Sequence, residues 1–180
     1  MTTRGGLLRW QFDFTWTLFR LHLEALHEDD FRWEPTELVW TVHRDTAGRW
    51  RPDFAEAEPD PVPVPTIAWL TWHITWWWQA AMDYLDGRTP AGHETVDWAG
   101  SGAATLNRLD ELRESWLAVL DRTDEAILDE PANHPWPAEA GLTVAHLCAW
   151  VNAELMKNVA EIGQLRMLRA AACEPAPTDL

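Results

Sequence analysis

Four long segments with helical character constrain the fold of this chain more than any other feature. In the first and third segments, apolar residues recur at the three- and four-residue steps of an amphipathic helix. No stretch alternates convincingly between apolar and polar residues as a strand would. The sequence therefore predicts an all-α fold, a four-helix bundle with helices over 7–27, 66–85, 101–126 and 143–171.

The segments between the predicted helices are marked by proline, glycine and charge. Thr66 and Thr143 stand where helix N-caps are expected, and Gly87 suits a left-handed C-terminal turn. The stretch 36–64 is not periodic, so we expect a long surface crossover connection between helices one and two. The sequence predicts a single domain over residues 1–172 and a flexible C-terminal tail over 173–180, which contains two prolines.

Composition excludes several classes of function. The 180 residues include 29 Asp and Glu against 14 Lys and Arg, a formal net charge of −15. Nucleic acids and anionic membranes attract clustered basic residues, so neither is an expected partner. Two cysteines cannot build a disulfide framework or a four-thiolate zinc site. No apolar run approaches the length of a membrane span and no signal peptide is evident, so we expect a cytoplasmic protein.

Helix four carries a polar stripe within an otherwise apolar or small surface. Glu154, Asn158 and Glu161 fall on one helical face. Much of the remaining surface is apolar or alanine, which is typical of a helix buried in a bundle or at a subunit contact. A carboxylate in such a setting needs a partner, because burying an uncompensated charge is costly.

Helix two offers a candidate partner for that stripe. His73 has Trp69 and Trp77 four residues to either side. If His73 faces helix four, it could share a divalent metal with Glu154 and Glu161, because imidazole and carboxylate groups bind zinc, nickel, iron and manganese. Asn158 would be a weaker ligand, and it would line the pocket together with Trp69 and Trp77.

Other interpretations of the same residues stay open at this stage. A histidine on an aromatic face is often a hydrogen-bonded core residue. Lys157 lies three residues after Glu154 and four before Glu161, so it could pair with either. Cys148 is expected to be an inert core thiol, and His134 is expected in a solvated loop.

Two stretches of the chain resemble the DinB-like superfamily. They are WLTWHI at 69–74 on helix two and VNAELMKNVAEIGQ at 151–164 on helix four, and the resemblance extends from about Leu7 to Leu168. It implies a four-helix bundle with a long crossover, often dimeric. Its metal-binding members include proteins similar to mycothiol-dependent maleylpyruvate isomerases and bacillithiol transferases. These typically hold a divalent metal with one helix-two histidine and an H-x-x-x-H pair on the last helix.

This sequence matches that pattern only in part. His73 matches the first ligand. Anchored on the step Gly163-Gln164, the last-helix pair falls on Lys157 and Glu161, whereas a looser register places it on Glu154 and Asn158, so neither histidine of the pair is present. The resemblance implies a homodimeric, divalent-metal-dependent transferase or hydrolase acting on a small molecule, with a low-molecular-weight thiol as cofactor. The alternative is a non-catalytic member that binds a ligand or dimerises without a metal.

Overall fold

The structure, a computed structural model, describes residues 3–173 and is mainly helical, as the sequence predicts. Of the tail predicted over 173–180, Cys173 is the last residue of an α-helix, and residues 174–180 lie outside the described residues. Three short 3-10 helices, at Glu28–Asp30, His93–Thr95 and Ala138–Ala140, stand in the connections. The α-helices are α1 (Arg4–Leu23), α2 (Ile67–Leu85), α3 (Gly102–Arg122), α4 (Glu125–Leu128) and α5 (Val144–Cys173).

Local hydrogen bonds explain where these helices begin and end. The Thr66 hydroxyl accepts from the backbone N–H of Trp69, which confirms the predicted N-cap of α2. Gly87 has a φ of +70°, as its predicted role requires. The third predicted helix is divided at Thr123, where Asp124 caps the short helix α4. At the start of α5, the Thr143 hydroxyl instead bonds Nδ1 of His146, 2.9 Å away.

The connection between α1 and α2 contains strands that the sequence analysis did not predict. Strand β1 (Val39–Trp40) pairs in parallel with β4 (Val64–Pro65), and β2 (Val42–Arg44) pairs antiparallel with β3 (Trp50–Pro52). The β2–β3 turn is stabilised by Asp45, whose carboxylate accepts backbone N–H bonds from Ala47 and Arg49. The sequence analysis found no strand pattern in the long connection predicted over 36–64, and these short paired segments are a correction to it.

The four long helices enclose the core. Helix α1 packs against α3 and α5, and α2 packs against the same two helices. Helix α5 is not buried all round, because Ala149, Ala153 and Ala160 are exposed on one face. The largest fully buried side chains include three tryptophans and three phenylalanines, namely Trp72, Trp78, Trp116, Phe12, Phe19 and Phe31.

A glycine of α5 lies directly against a side chain of α1. A Cβ atom added at Gly163 would lie 2.6 Å from Nε2 of His22, well inside van der Waals contact. The helical glycine therefore makes room for the imidazole of the neighbouring helix. This packing gives a physical reason for glycine in the Gly163-Gln164 step.

Tryptophans of α2 form hydrogen bonds with the backbone of the connecting segments. The indole N–H of Trp69 donates to the carbonyl of Asp53 at 2.7 Å, and that of Trp72 donates to Val96 at 2.8 Å. Consecutive helical residues diverge by about 100°, so the side chains of Trp76, Trp77 and Trp78 point in different directions. Trp78 enters the core, Trp77 meets α5, and the Trp76 indole N–H donates to the carbonyl of Ala91.

Helix length and hydropathy also bear on membrane insertion. Over residues 3–173, none of the helices combines the length and the apolar character that a bilayer crossing demands.

Candidate functional site

A cavity of about 380 Å³ lies between α2 and α5, within the size range of small-molecule sites. Both helices contribute side chains, and the connections before α3 and α5 complete the wall. The lining combines three indoles, two imidazoles, small apolar groups and one ion pair. These residues are His73, Trp76, Trp77, Ala80, Ala91, His134, Pro135, Trp150, Glu154 and Lys157.

The aromatic wall has defined geometry. Trp77 and Trp150 meet edge to face, with ring centroids 5.6 Å apart, across the α2–α5 boundary. His134 stacks on Tyr84 and meets Trp150 edge to face. The prediction that His134 is solvated was wrong, because these two rings hold it against the cavity.

His73 is positioned by stacking. Its ring lies nearly parallel to that of Trp69, with centroids 5.0 Å apart, and Trp69 stacks in the same way on Trp40 from strand β1. The Nδ1 atom of His73 is buried and has no hydrogen-bond partner within the described part of the chain. The imidazole is therefore held by ring contacts and contributes a polar group to an aromatic wall.

Burial and a neighbouring cation keep His73 neutral. Desolvation is the main cause that lowers the pKa of His73 from its usual 6.5 to about 4. The positive charge of Lys157 acts in the same direction, and the Asn158 side chain acts in the opposite one. Burial also lowers the pKa of His134. Near pH 7, both imidazoles can donate and accept hydrogen bonds without carrying charge.

The polar stripe of α5 divides into two parts. Lys157 pairs with Glu154, with 2.6 Å between Nζ and Oε2, which settles the choice that spacing had left open. Asn158 is buried, accepts from the indole N–H of Trp77 at 3.2 Å, and donates to Oε2 of Glu161 at 2.8 Å. Glu161 lines a separate, smaller cavity of about 190 Å³ beside strand β4.

The six residues singled out from the sequence thus lie in different surroundings. His73, Trp77 and Glu154 line the larger cavity. Trp69 lies behind His73, and Asn158 lies between the helices. Glu161 does not reach the cavity that contains His73. Of the three residues predicted to share a metal, His73 and Glu154 therefore line one cavity and Glu161 lines another.

These side chains do not match a metal-binding donor set. Among residues 3–173, no group of three or more His, Cys, Asp or Glu side chains could hold a metal ion. The Glu154 carboxylate is already paired with Lys157, and that of Glu161 accepts from Asn158. We therefore derive no metal-dependent step, and the predicted metal site stays a prediction.

Several lining residues were not among the predicted site residues. Trp76 lies three residues after His73, and Trp150 lies four residues before Glu154, so helical spacing could have identified both. Ala91, His134 and Pro135 come from connections, where no periodicity indicates which residues turn inward. The Cys148 thiol is buried, and burial raises its pKa to about 12, which fits the expected inert role.

Comparison with known proteins identifies the family. Comparison with curated proteins and with solved structures gave no match. A sequence model of the DinB superfamily matches residues 11–162, a range that includes α2, α3 and the part of α5 that lines the cavity. The chain belongs to the DinB superfamily.

Proposed function

We propose that this protein binds a small aromatic molecule in the cavity between α2 and α5. The observation that carries the proposal is the convergence of three indoles and two imidazoles on one space of about 380 Å³. Apolar walls with a few polar groups are typical of small-molecule sites. Indole faces favour a flat ring, which they can contact by stacking or edge to face.

The polar groups of the cavity suit this role. Neutral His73 can form a hydrogen bond with a ligand, and Glu154 and Lys157 supply charge at the same wall. Trp77 is held in place by its hydrogen bond to Asn158, so part of the site is already formed without a ligand. A preformed site loses less conformational entropy on binding.

We further propose that the four long helices form a bundle, with residues 24–66 as the crossover. The support is the pattern of contacts, since α1 and α2 each pack on both α3 and α5. Helices α1 and α2 then lie at opposite corners, and a long connection is needed to join them. This arrangement leaves α2 and α5 adjacent, as the cavity requires.

A titration with indole, a neutral aromatic probe, tests the proposed function. We expect saturable NMR shifts of the indole N–H signals of Trp76, Trp77 and Trp150. Trp150→Ala should weaken binding about tenfold, which corresponds to losing roughly 1.4 kcal/mol of ring contact. The matched control is Trp10→Ala, because Trp10 is 62% exposed on α1. Absence of saturable shifts at the three cavity indoles up to millimolar probe would refute the proposal.

Metal-dependent transfer with a low-molecular-weight thiol, the activity that the family resemblance implies, can be tested separately. Because the donor set is incomplete, we expect well under one equivalent of zinc per chain after incubation with excess zinc and dialysis. Elemental analysis measures this directly. A full equivalent in the wild type that is lost in His73→Ala would contradict this expectation and restore the metal site.

Homodimer formation also stays a proposal. Four large apolar side chains of α1 are exposed at helical spacing, and such a stripe can support contact with a second copy. These residues are Leu7, Trp10, Phe14 and Leu21.

A further inference from the structure

Lys157 is the only lysine in the chain, and it lies on the wall of the aromatic cavity. Every other basic residue is an arginine, and no arginine is among the described residues that line this cavity. With His73 and His134 neutral, the ammonium of Lys157 is the positive charge of the lining. A ligand in the cavity therefore meets a single cationic group in a protein of net charge −15.

The ammonium group has capacity for a second anionic partner. Its side chain is 50% exposed, and its Nζ atom lies 2.6 Å from Oε2 of Glu154. A lysine ammonium has three N–H donors and no acceptor. A ligand carboxylate can therefore join Glu154 at Lys157 without displacing it.

The cavity wall carries one charge of each sign, on Glu154 and Lys157, and they act differently on His73. Among charged groups, Lys157 is the one that influences His73, and it disfavours the protonated imidazole. A cationic ligand beside this ring would meet the same repulsion. An anionic group would be attracted, and partial exclusion of water makes such an attraction stronger than in bulk solvent.

We propose that the ligands of this cavity are small aromatic carboxylates, with the ring against the indoles and the carboxylate paired with Lys157. The inference rests on the proposed function, because it assumes that the cavity binds an aromatic molecule. It adds the chemical class of the ligand and the residue that selects it. The orientation of the bound ligand follows from the cavity lining, because Trp77 and Trp150 form its aromatic side and Lys157 supplies the positive charge.

Three probes with the same phenyl ring and the same chain length separate the effect of ligand charge from that of ligand shape. Phenylacetate, phenylacetamide and phenethylamine differ in an anionic, a neutral and a cationic group, and each is titrated into the full chain. We expect phenylacetate to bind about two- to fivefold more tightly than phenylacetamide, the range expected for one partly exposed charged contact. We expect phenethylamine to bind most weakly.

Two substitutions on the same ion pair should change this preference in opposite directions. Lys157→Met removes the positive charge and leaves Glu154 unpaired, so we expect the acid then to bind no more tightly than the amide. Glu154→Gln frees Lys157 from its present partner, and we expect phenylacetate to bind more tightly than in the wild type. Lys157→Arg keeps the charge and should keep most of the preference, which separates loss of charge from loss of folding.

Arg20→Met is the matched control for net charge. Arg20 is 47% exposed and pairs with Glu24 on α1, so its loss changes the total charge by the same amount away from the cavity. We expect this variant to bind all three probes as the wild type does. An equal effect of Arg20→Met and Lys157→Met would overturn the assignment of selectivity to Lys157.

The remaining outcomes distinguish this inference from the proposed function. If phenylacetate and phenylacetamide bind equally in the wild type, the carboxylate preference is overturned and the aromatic site stands. If phenethylamine binds best, Glu154 rather than Lys157 selects the ligand, and the inference is again overturned. If no probe binds, the proposed function fails together with it.

Discussion

Trp72→Ala is expected to lower the free energy of unfolding by about 3–5 kcal/mol, the range for removing a large buried aromatic side chain. Trp72 is 0% exposed, and its indole N–H donates to the carbonyl of Val96 at 2.8 Å. Its ring also stacks on Trp76 and meets Trp69 edge to face. The substitution would leave a void in the core beside α2. It would also remove the hydrogen bond between α2 and the connection that precedes α3.

Two further variants separate the causes of this effect. Trp72→Phe keeps most of the buried ring and loses the hydrogen bond, so we expect a smaller loss of about 1–2 kcal/mol. Met167→Ala removes an apolar side chain of α5 that is 59% exposed, so we expect a change within about 0.5 kcal/mol. Urea unfolding followed by circular dichroism measures all three. A loss below 1 kcal/mol for Trp72→Ala would show that the core can close around the void.

The tryptophan content illustrates how far sequence reasoning reaches. The chain has 14 tryptophans, and a buried indole N–H generally needs an acceptor. The sequence indicates that residues 76–78 on α2 point in different directions, because consecutive helical residues diverge by about 100°. It does not indicate that Asp53, Ala91 and Val96 supply acceptors, since these carbonyls belong to connections without periodicity.

The strands between α1 and α2 show a second reason for missed structure. Strand β1 pairs Val39 with Val64, and Trp40 with Pro65, far apart in the sequence. Segments of two or three residues are too short to show the alternation by which strands are identified. Their formation depends on non-local pairing and on contacts with α2, so local pattern alone cannot predict them.

Helical spacing can suggest neighbours only where both partners lie on long helices. It led to the hypothesis that His73 faces the last helix, and the structure places His73, Trp77 and Glu154 on one cavity because α2 and α5 are regular and adjacent. The position of Glu161 outside this cavity is set by the residue between the helices. Asn158 bonds Trp77 on one side and Glu161 on the other, and this arrangement could not be inferred from the spacing.

Acidification is expected to destabilise the wild-type protein through His73, and to destabilise His73→Gln less. The pKa of His73 is about 4 in the folded protein and near 6.5 when the chain is unfolded. Between these values the unfolded state binds the proton and the folded state does not. The stabilising contribution is therefore complete above pH 6.5 and is lost as the pH falls towards 4.

This difference between the folded and unfolded pKa values of His73 corresponds to a loss of about 3 kcal/mol of unfolding free energy between pH 7 and pH 4. The loss in the wild type should exceed that in His73→Gln by about this amount, as measured by urea unfolding at each pH. The unfolding free energy of the variant should still fall on acidification, but less steeply. The pKa values of His22 and His134 are also lowered, so these two residues contribute in the same direction.

Lys157→Met provides an independent check of the cause. The charge of Lys157 helps to lower the pKa of His73, so its removal should raise that pKa and reduce the loss of stability on acidification. An NMR titration of the His73 Cε1 proton follows the same change in the folded protein. A folded-state pKa near 6.5 would mean that His73 is solvated, in which case neither the pH dependence nor a neutral imidazole in the aromatic wall could be maintained.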